Sequence, residues 1–311
     1  SYPRLESMKK HNPFCKQNKR KEQVMQAVFF IAACASIFAV ALICLFLFVN
    51  GIPAMKEIGF FSFLLGERWK PGNNIFGIFP MIMGSIYVTA GAILIGVPIG
   101  ILTSVFMAKY CPKKIYPVLK GATELLAGIP SVVYGFFGLV VLVPATREFC
   151  RSLRAAGLLR SSGDGNSILT ASILLGMMIL PTIIGVTESA IRAVPNQYYE
   201  GALALGATHE RSIFKVVLPA AKSGVVAGIV LGIGRAIGET MAVIMVAGNQ
   251  PRMPQSIVKG VRTLTANIVI EMGYATDLHR EALIATAVVL FVFILIINLS
   301  VSLLNRRSRH E

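Results

Sequence analysis

Two charged residues inside an otherwise uncharged stretch are the strongest candidates for chemistry in this sequence. Arg235 and Glu239 are the only charges between Ser223 and Gln250. Their spacing of four residues, about one helical turn, places both side chains on one helix face, where they can pair. A guanidinium offers forked donors that suit an oxyanion such as phosphate, and Glu239 can hold Arg235 while no anion is bound. Thr240 follows directly and can add a hydroxyl donor.

The depth of Arg235 in its stretch supports a role on a transport path. Arg235 lies about midway between Lys222 and Arg252, hence near the centre of a bilayer if this stretch spans one. An arginine at that depth costs roughly 2.5–3.5 kcal/mol on insertion scales and should face a bundle interior or a water-filled cavity. We therefore predict that Arg235, Glu239 and Thr240 line a substrate path. The alternative is a structural ion pair between helices.

The composition of the chain points to an integral membrane protein. Of its 311 residues, 55% are hydrophobic and only 14% are charged, against roughly 25% charged in an average soluble domain. These proportions exclude the water-soluble globular class and the disordered class. The net charge of +15 is explained by Lys and Arg in loops that orient a membrane protein. We therefore expect membrane lipid, and no nucleic acid, as a partner.

Six apolar stretches each reach the length of roughly 20 residues that a spanning helix needs. The predicted fold is all-α, with transmembrane helices near 24–49, 78–108, 120–143, 168–190, 223–247 and 282–304. Glycines at intervals of four predict close helix packing in lipid. These glycines are Gly96 and Gly100, Gly224, Gly228 and Gly232, and the pair Gly234 and Gly238.

An even number of helices places both termini on one side of the membrane. The segments on that side hold 18 Lys and Arg, and the opposite loops hold 11. The positive-inside rule then predicts a basic cytoplasmic N-terminus over 1–22, a transmembrane domain over 23–311 and both termini in the cytoplasm. The first apolar run is too long for a cleaved signal peptide. The loop carrying the arginines of Arg147–Arg160 lies on the external side against this trend, and its role stays open.

Catalytic and metal-binding motifs are missing from the sequence. No Gly-Lys dipeptide occurs, so there is no P-loop, and neither H-E-x-x-H nor G-x-S-x-G is present. The four histidines and five cysteines are scattered, so we expect no metal site, no catalytic residues and no cofactor in this chain. If the protein moves a solute uphill, the energy must come from another chain or from an ion gradient.

The predicted cytoplasmic segment 193–219, between the fourth and fifth helices, is a second functional candidate. Pro195 suits the first turn of a short helix and Gly206 suits its end. Small residues between them leave a bare helical surface that suits docking into a groove of a partner. An ordinary amphipathic helix at the membrane interface is the alternative.

The order Glu200-Gly201-Ala202-x-x-x-Gly206, nine further residues and then Val216-x-Leu218-Pro219 resembles the EAA motif of ABC importer permeases. Two positions depart mildly from that motif, which has Ala where this chain has Gly201 and Ile where it has Val216. The resemblance implies a type I importer permease with a cytoplasmic coupling helix that seats on an ATPase. The residues that it implies as ATPase-coupling are Glu200, Gly201, Ala202, Gly206, Leu218 and Pro219.

Two further stretches are similar to the phosphate permeases of the Pst system. They are LLAGIPSVVYGFFGL at Leu125–Leu139 and GRAIGETMAVIMVAGN at Gly234–Asn249, and the second resembles the PstC-type subunit. The resemblance covers roughly 76–304. It implies a PstA-type permease partner, two ATP-binding subunits that hold ATP and Mg²⁺, and an external phosphate-binding protein, in a bacterial inner membrane. It also implies that Arg235 and Glu239 act in phosphate passage.

Two other functions stay open at this point. The Arg–Glu pair alone does not separate a phosphate permease from an importer permease for molybdate or sulfate. An autonomous ion-coupled carrier would share the same composition, and uptake without any ATPase subunit would distinguish it.

Overall fold

A computed structural model describes residues 13–157 and 163–307 of the chain. The first twelve residues of the predicted basic N-terminus, Arg160 of the external arginine loop and residues 308–311 lie outside the described residues.

The helices, numbered along the chain, are α1 Pro13–Ile58, α2 Phe60–Leu65, α3 Phe79–Val105, α4 Tyr116–Gly128, α5 Ser131–Phe137, α6 Val143–Ala155, α7 Ile168–Ala193, α8 Asn196–Ala204, α9 His209–Ser212, α10 Leu218–Ala220, α11 Lys222–Gly238, α12 Met241–Val246, α13 Leu264–Met272 and α14 Asp277–Arg307.

Short elements of other kinds join these helices. One-turn π-helical segments follow α3, α5 and α9, at Phe106–Tyr110, Gly138–Leu142 and Ile213–Val217. Strands β1 (Trp69–Lys70) and β2 (Ile75–Phe76) form an antiparallel pair in which Trp69 lies opposite Phe76.

The chain divides into two units, residues 1–50 and 51–311. Within its described residues the first unit is helical, and its apolar side chains are exposed, with Phe30 and Ile37 each 70% accessible. Lipid is the environment that such an apolar surface requires.

Five helical segments of the described chain are long and apolar enough to cross a bilayer. They are Lys21–Ile58, Phe79–Tyr110, Ser131–Ala155, Ile168–Ala193 and Asp277–Ser300. A sixth span is formed if His209–Ala220 and Lys222–Gly238, which are bent by 70° from each other, count as one. The all-α membrane fold predicted from the sequence is therefore confirmed, with five or six spans.

Helix α7 lies at the centre of the second unit because glycines on its neighbours allow close approach. A methyl group at Gly100 of α3 would lie 2.8 Å from Ile183, and one at Gly228 of α11 would lie 2.9 Å from Thr187. Such distances leave no room for a side chain, so the predicted packing role is confirmed for Gly96, Gly100, Gly224, Gly228 and Gly232. The pair Gly234 and Gly238 is different, since nothing lies within 4 Å of an added methyl at either residue.

The helix predicted near 120–143 is interrupted, and the prediction of one helix there is wrong. The residue before a proline is driven out of the α region by steric clash. Ile129 precedes Pro130 and is extended, with φ −69° and ψ 126°, so α4 ends at Gly128 and α5 starts at Ser131. The third span consequently runs over Ser131–Ala155, which includes part of the predicted external arginine loop.

The helix predicted near 223–247 is also two helices rather than one. Helix α11 ends at Gly238, and Glu239 is extended with φ −69° and ψ 131° before α12 begins at Met241. Broken spans at membrane depth are tolerated where they are buried in protein or line a water-filled cavity. The break lies at Glu239 and Thr240, which are among the residues that the sequence predicts to line a substrate path.

Candidate functional site

Arg235 lies three residues before α11 ends. At 1.5 Å per helical residue it is roughly 20 Å from Lys222 along the axis, well inside a hydrocarbon core of about 30 Å. Its side chain is half-buried, and its Nη1 donates to the Thr182 hydroxyl of α7 over a long distance of 3.4 Å. Gly234 and Gly238 beside it face open space. Helix α11 thus presents one cation next to a surface that no side chain of the described residues fills.

The predicted pairing of Arg235 with Glu239 is wrong. Because α11 ends between them, Glu239 is not one helical turn beyond Arg235. The Glu239 Oε1 instead accepts hydrogen bonds from the backbone N–H groups of Thr240 (3.1 Å) and Ala242 (3.2 Å), which caps α12. In residues 13–157 and 163–307, no carboxylate forms an ion pair with Arg235.

Polar contacts around the break satisfy backbone groups that the interrupted helix would otherwise leave free. The Thr240 hydroxyl donates to the carbonyl of Gly238 at 3.2 Å, and the Thr265 hydroxyl of α13 donates to the carbonyl of Glu239 at 3.1 Å. The Thr240 hydroxyl is thus hydrogen-bonded to the chain itself, and its place on a substrate path stays a prediction. Glu239 and Thr240 hold the backbone at the break, and Arg235 lies beside it without an ion pair among the described residues.

The short helix predicted between Pro195 and Gly206 is present as α8. Pro195 precedes its first residue, and Gly206 follows its end with φ +85°, a conformation that favours glycine. Glu200 and Gly201 are exposed, and nothing lies within 4 Å of a methyl added at Gly201. The exposed face of α8 is thus open to a partner.

Two of the residues that the motif assigns to ATPase contact pack against other residues of this chain. Ala202 is buried, and Leu218 packs against the apolar cluster that contains Val105, Ile191 and Val217. Both residues help to fix the segment to the rest of the chain, Ala202 as a buried residue and Leu218 as a partly buried one, and their contact with an ATPase stays a prediction. Glu200, Gly201, Gly206 and Pro219 remain at the surface.

A buried carboxylate near the end of α7 was not found from the sequence. Glu188 accepts hydrogen bonds from Tyr116 at 2.8 Å and Lys120 at 2.9 Å, and it also pairs with Arg192. The hydrogen bond to Glu188 raises the pKa of the Tyr116 phenol. Only Arg192, four residues away in the same helix, could have signalled this cluster.

A second buried carboxylate, Glu271 of α13, joins segments from four parts of the chain. It accepts from Trp69 Nε1 at 2.7 Å, and it pairs with Arg262 at 2.5 Å and with His279 at 2.8 Å. Because Trp69 and Glu271 are 202 positions apart, local sequence patterns could not predict this contact. Across the described ranges, no group of three or more His, Cys, Asp or Glu could hold a metal ion.

The family profile for the inner membrane component of binding-protein-dependent transport systems matches residues 96–310. A probable ABC transporter permease protein, YqgH of Bacillus subtilis, is 38% identical over 91% of this chain and 92% of its own length. The phosphate transport system permease protein PstC of Mesorhizobium japonicum is 36% identical over 81% of this chain and 80% of its own. A probable phosphate transport system permease protein PstC of Methanocaldococcus jannaschii is 31% identical over 82% of this chain and 84% of its own length.

Solved structures of ABC transporters share the fold. A bacterial alginate ABC transporter in complex with its oligosaccharide-bound periplasmic protein matches with a TM-score of 0.63 at 18% identity. That match covers 94% of this chain and 96% of the other. An inward-facing form of the methionine transporter MetNI matches with a TM-score of 0.56 at 19% identity, covering 78% of this chain and 99% of the other. At these identities the matches show the fold alone.

Proposed function

This chain belongs to the family of inner membrane components of binding-protein-dependent transport systems, and on that premise we propose that it is the permease subunit of an ATP-driven phosphate importer. Several relatives that align over most of its length are named phosphate transport permeases. In this reading an external binding protein delivers phosphate, and ATP and Mg²⁺ bind to partner subunits. The chain itself supplies the path and the link to the ATPase.

The observation that carries this proposal is the free cation at the broken helix. Arg235 has no ion-pair partner among the described residues, and its one hydrogen bond within them is long. A guanidinium in a water-excluded membrane region needs an anion, polar groups or water around it. Open space at Gly234 and Gly238 gives a passing oxyanion access to its forked donors.

The proposed assembly has a PstA-type permease beside this chain and two ATP-binding subunits below them. The exposed face of α8 would seat on one ATPase through Glu200 and Gly201, and Gly206 and Pro219 would lie at the edge of the same contact. Movement of α8 would then be passed to the membrane helices, which alternate between outward and inward access around the Arg235 region.

Reconstitution of the complete complex in proteoliposomes tests this function. We expect phosphate uptake that requires the binding protein, ATP and both ATPase subunits, and that a large excess of sulfate or molybdate leaves unchanged. Uptake that persists in vesicles lacking the ATPase subunits would contradict the proposal and favour an autonomous carrier. Uptake of sulfate or molybdate in place of phosphate would instead reassign the substrate to another oxyanion.

The orientation in the membrane gives an independent prediction. The excess of Lys and Arg on one side predicts that both termini face the cytoplasm. An epitope tag at either end should therefore be labelled only after the membrane is permeabilised. A tag in the loop at Gly72–Asn74 should be labelled in cells whose inner membrane is intact, and the reverse pattern would overturn the topology.

A further inference from the structure

We infer that Glu188 is a positioning residue that ties helix α4 to the start of the coupling segment and so transmits its movement to the substrate path. This inference rests on the proposed function. Glu188 lies five residues before α7 ends at Ala193, and its side chain is only 2% exposed. The coupling segment 193–219 begins at that same helix end, so a shift there moves Glu188 with it.

Helix α4 depends on Glu188 because it has little else to hold it. None of the 13 residues of α4 is buried in this chain, so apolar packing contributes little to its position. Its polar contacts with α7 are the Tyr116 hydroxyl on Glu188 Oε1 and the Lys120 ammonium on Glu188 Oε2. Both carboxylate oxygens are thus used to hold one helix.

Arg192 extends the same cluster to the end of α3. Its Nε pairs with Glu188, its Nη2 donates to the carbonyl of Met107 at 2.9 Å, and its guanidinium lies 4.2 Å from the centre of the Tyr116 ring. Met107 belongs to the π-helical segment Phe106–Tyr110. The carboxylate therefore organises three elements, α4, α7 and the end of α3, around one buried charge.

The coupling segment is attached to that π-helical segment as well. The Tyr199 hydroxyl of α8 lies 2.6 Å from His209 Nδ1, and the His209 ring packs edge-on against Tyr110 with centroids 5.0 Å apart. A force on α8 consequently reaches Phe106–Tyr110 directly and reaches Glu188 through Arg192.

The far end of α4 leads back to the path. The carbonyl of Leu126 accepts a hydrogen bond from the Tyr134 hydroxyl at 2.9 Å. Tyr134 belongs to the buried cluster that includes Ala236, the residue next to Arg235. The contacts from α8 through Glu188 to α4 and Tyr134 are therefore continuous, with hydrogen bonds, ion pairs and packed rings between elements and the helical backbone within Phe106–Tyr110 and α4.

The test measures ATP hydrolysis and phosphate uptake in the same proteoliposomes of the complete complex. Glu188→Gln removes the charge and leaves two cations facing a neutral amide, so α4 loses its fixed position. We expect the ATP hydrolysed per phosphate imported to rise about tenfold, because coupling between two sites typically changes an affinity by roughly 5- to 150-fold. Lys120→Met should also raise this ratio. The double variant Glu188→Gln with Lys120→Met should raise it little further than Glu188→Gln alone, since both changes break the same contact.

Matched variants keep the test decisive. Glu148→Gln breaks an exposed ion pair, in which the side chain of Glu148 is 67% accessible and that of Arg151 is 60% accessible. This variant should leave the ratio of ATP hydrolysed to phosphate imported unchanged. Tyr116→Phe removes one hydrogen-bond donor to Glu188 without leaving a buried charge unpaired. It replaces Glu188→Gln in the test if that variant fails to assemble, and we expect it to raise the ATP hydrolysed per phosphate imported severalfold. A wild-type ratio in both Glu188→Gln and Tyr116→Phe, or a parallel fall of hydrolysis and uptake, would overturn the inference. Absence of phosphate uptake by the wild-type complex would contradict the proposed function instead.

Discussion

Replacing Arg235 with Gln is expected to lower phosphate uptake by roughly a hundredfold while the complex still assembles. Hydrogen bonds to charged groups contribute about 1.5–3 kcal/mol each, and 1.4 kcal/mol corresponds to a factor of ten. Within the described chain the Arg235 side chain forms one hydrogen bond, the 3.4 Å contact with Thr182, and no ion pair, so we expect its loss to cost the fold little. Uptake in proteoliposomes and co-purification of all subunits measure the two effects separately.

Two further arginine variants refine this result. Arg235→Lys keeps the charge but loses the planar fork, and we expect its uptake to fall between those of the wild type and Arg235→Gln. Arg280→Gln changes an exposed residue at the start of α14 and should behave as the wild type. Normal uptake by Arg235→Gln would remove this residue from the path, and loss of assembly would make its role structural.

Features that depend on a few neighbouring residues could be predicted from the sequence. Pro195 and Gly206 enclose α8 because a proline suits a helix start and a glycine accepts positive φ at a helix end. Five of the seven glycines at intervals of four also sit in close contacts, since packing in lipid depends on small residues, whereas Gly234 and Gly238 do not. Both rules concern a few neighbouring residues and need no knowledge of the tertiary structure.

The pairing of Arg235 with Glu239 failed because the spacing rule assumes an unbroken helix. Glu239 leaves the helical conformation, and its carboxylate is taken up by the N–H groups that open α12. Gly238 and Thr240, residue types common at a helix end and a helix start, are the local signals of that break. The break matters for the proposed function, because among the described residues no carboxylate neutralises Arg235, and the proposal needs a cation that is available to a substrate anion.

The carboxylate clusters were missed for a different reason. Glu188 meets Lys120 across 68 positions, and Glu271 meets Trp69 across 202, so only the fold brings them together. Buried ion pairs contribute little net stability, but removing one partner leaves an uncompensated charge and is costly. Such clusters therefore fix where helices sit relative to each other, which a sequence pattern of single helices does not express.

Replacing Gly201 with Trp is expected to disconnect ATP hydrolysis from transport. The position is exposed on α8, and nothing in the described chain lies within 4 Å of an added methyl, so the chain itself can accommodate the larger side chain. The bulk would project into the proposed groove of the ATPase instead. A clash at the centre of an interface costs about 2 kcal/mol or more, roughly thirtyfold in the dissociation constant.

The measurements are the yield of ATPase subunits that co-purify and the phosphate imported per ATP hydrolysed, both of which should fall. Gly273→Trp is the matched control, because Gly273 is also exposed with open space around it but follows α13, far along the chain from the coupling segment. Wild-type co-purification together with normal transport in Gly201→Trp would contradict the coupling role of α8. A variant that folds, retains Arg235 and Glu188 and yet hydrolyses ATP without transport would place the transmission of force at the exposed face of this one short helix.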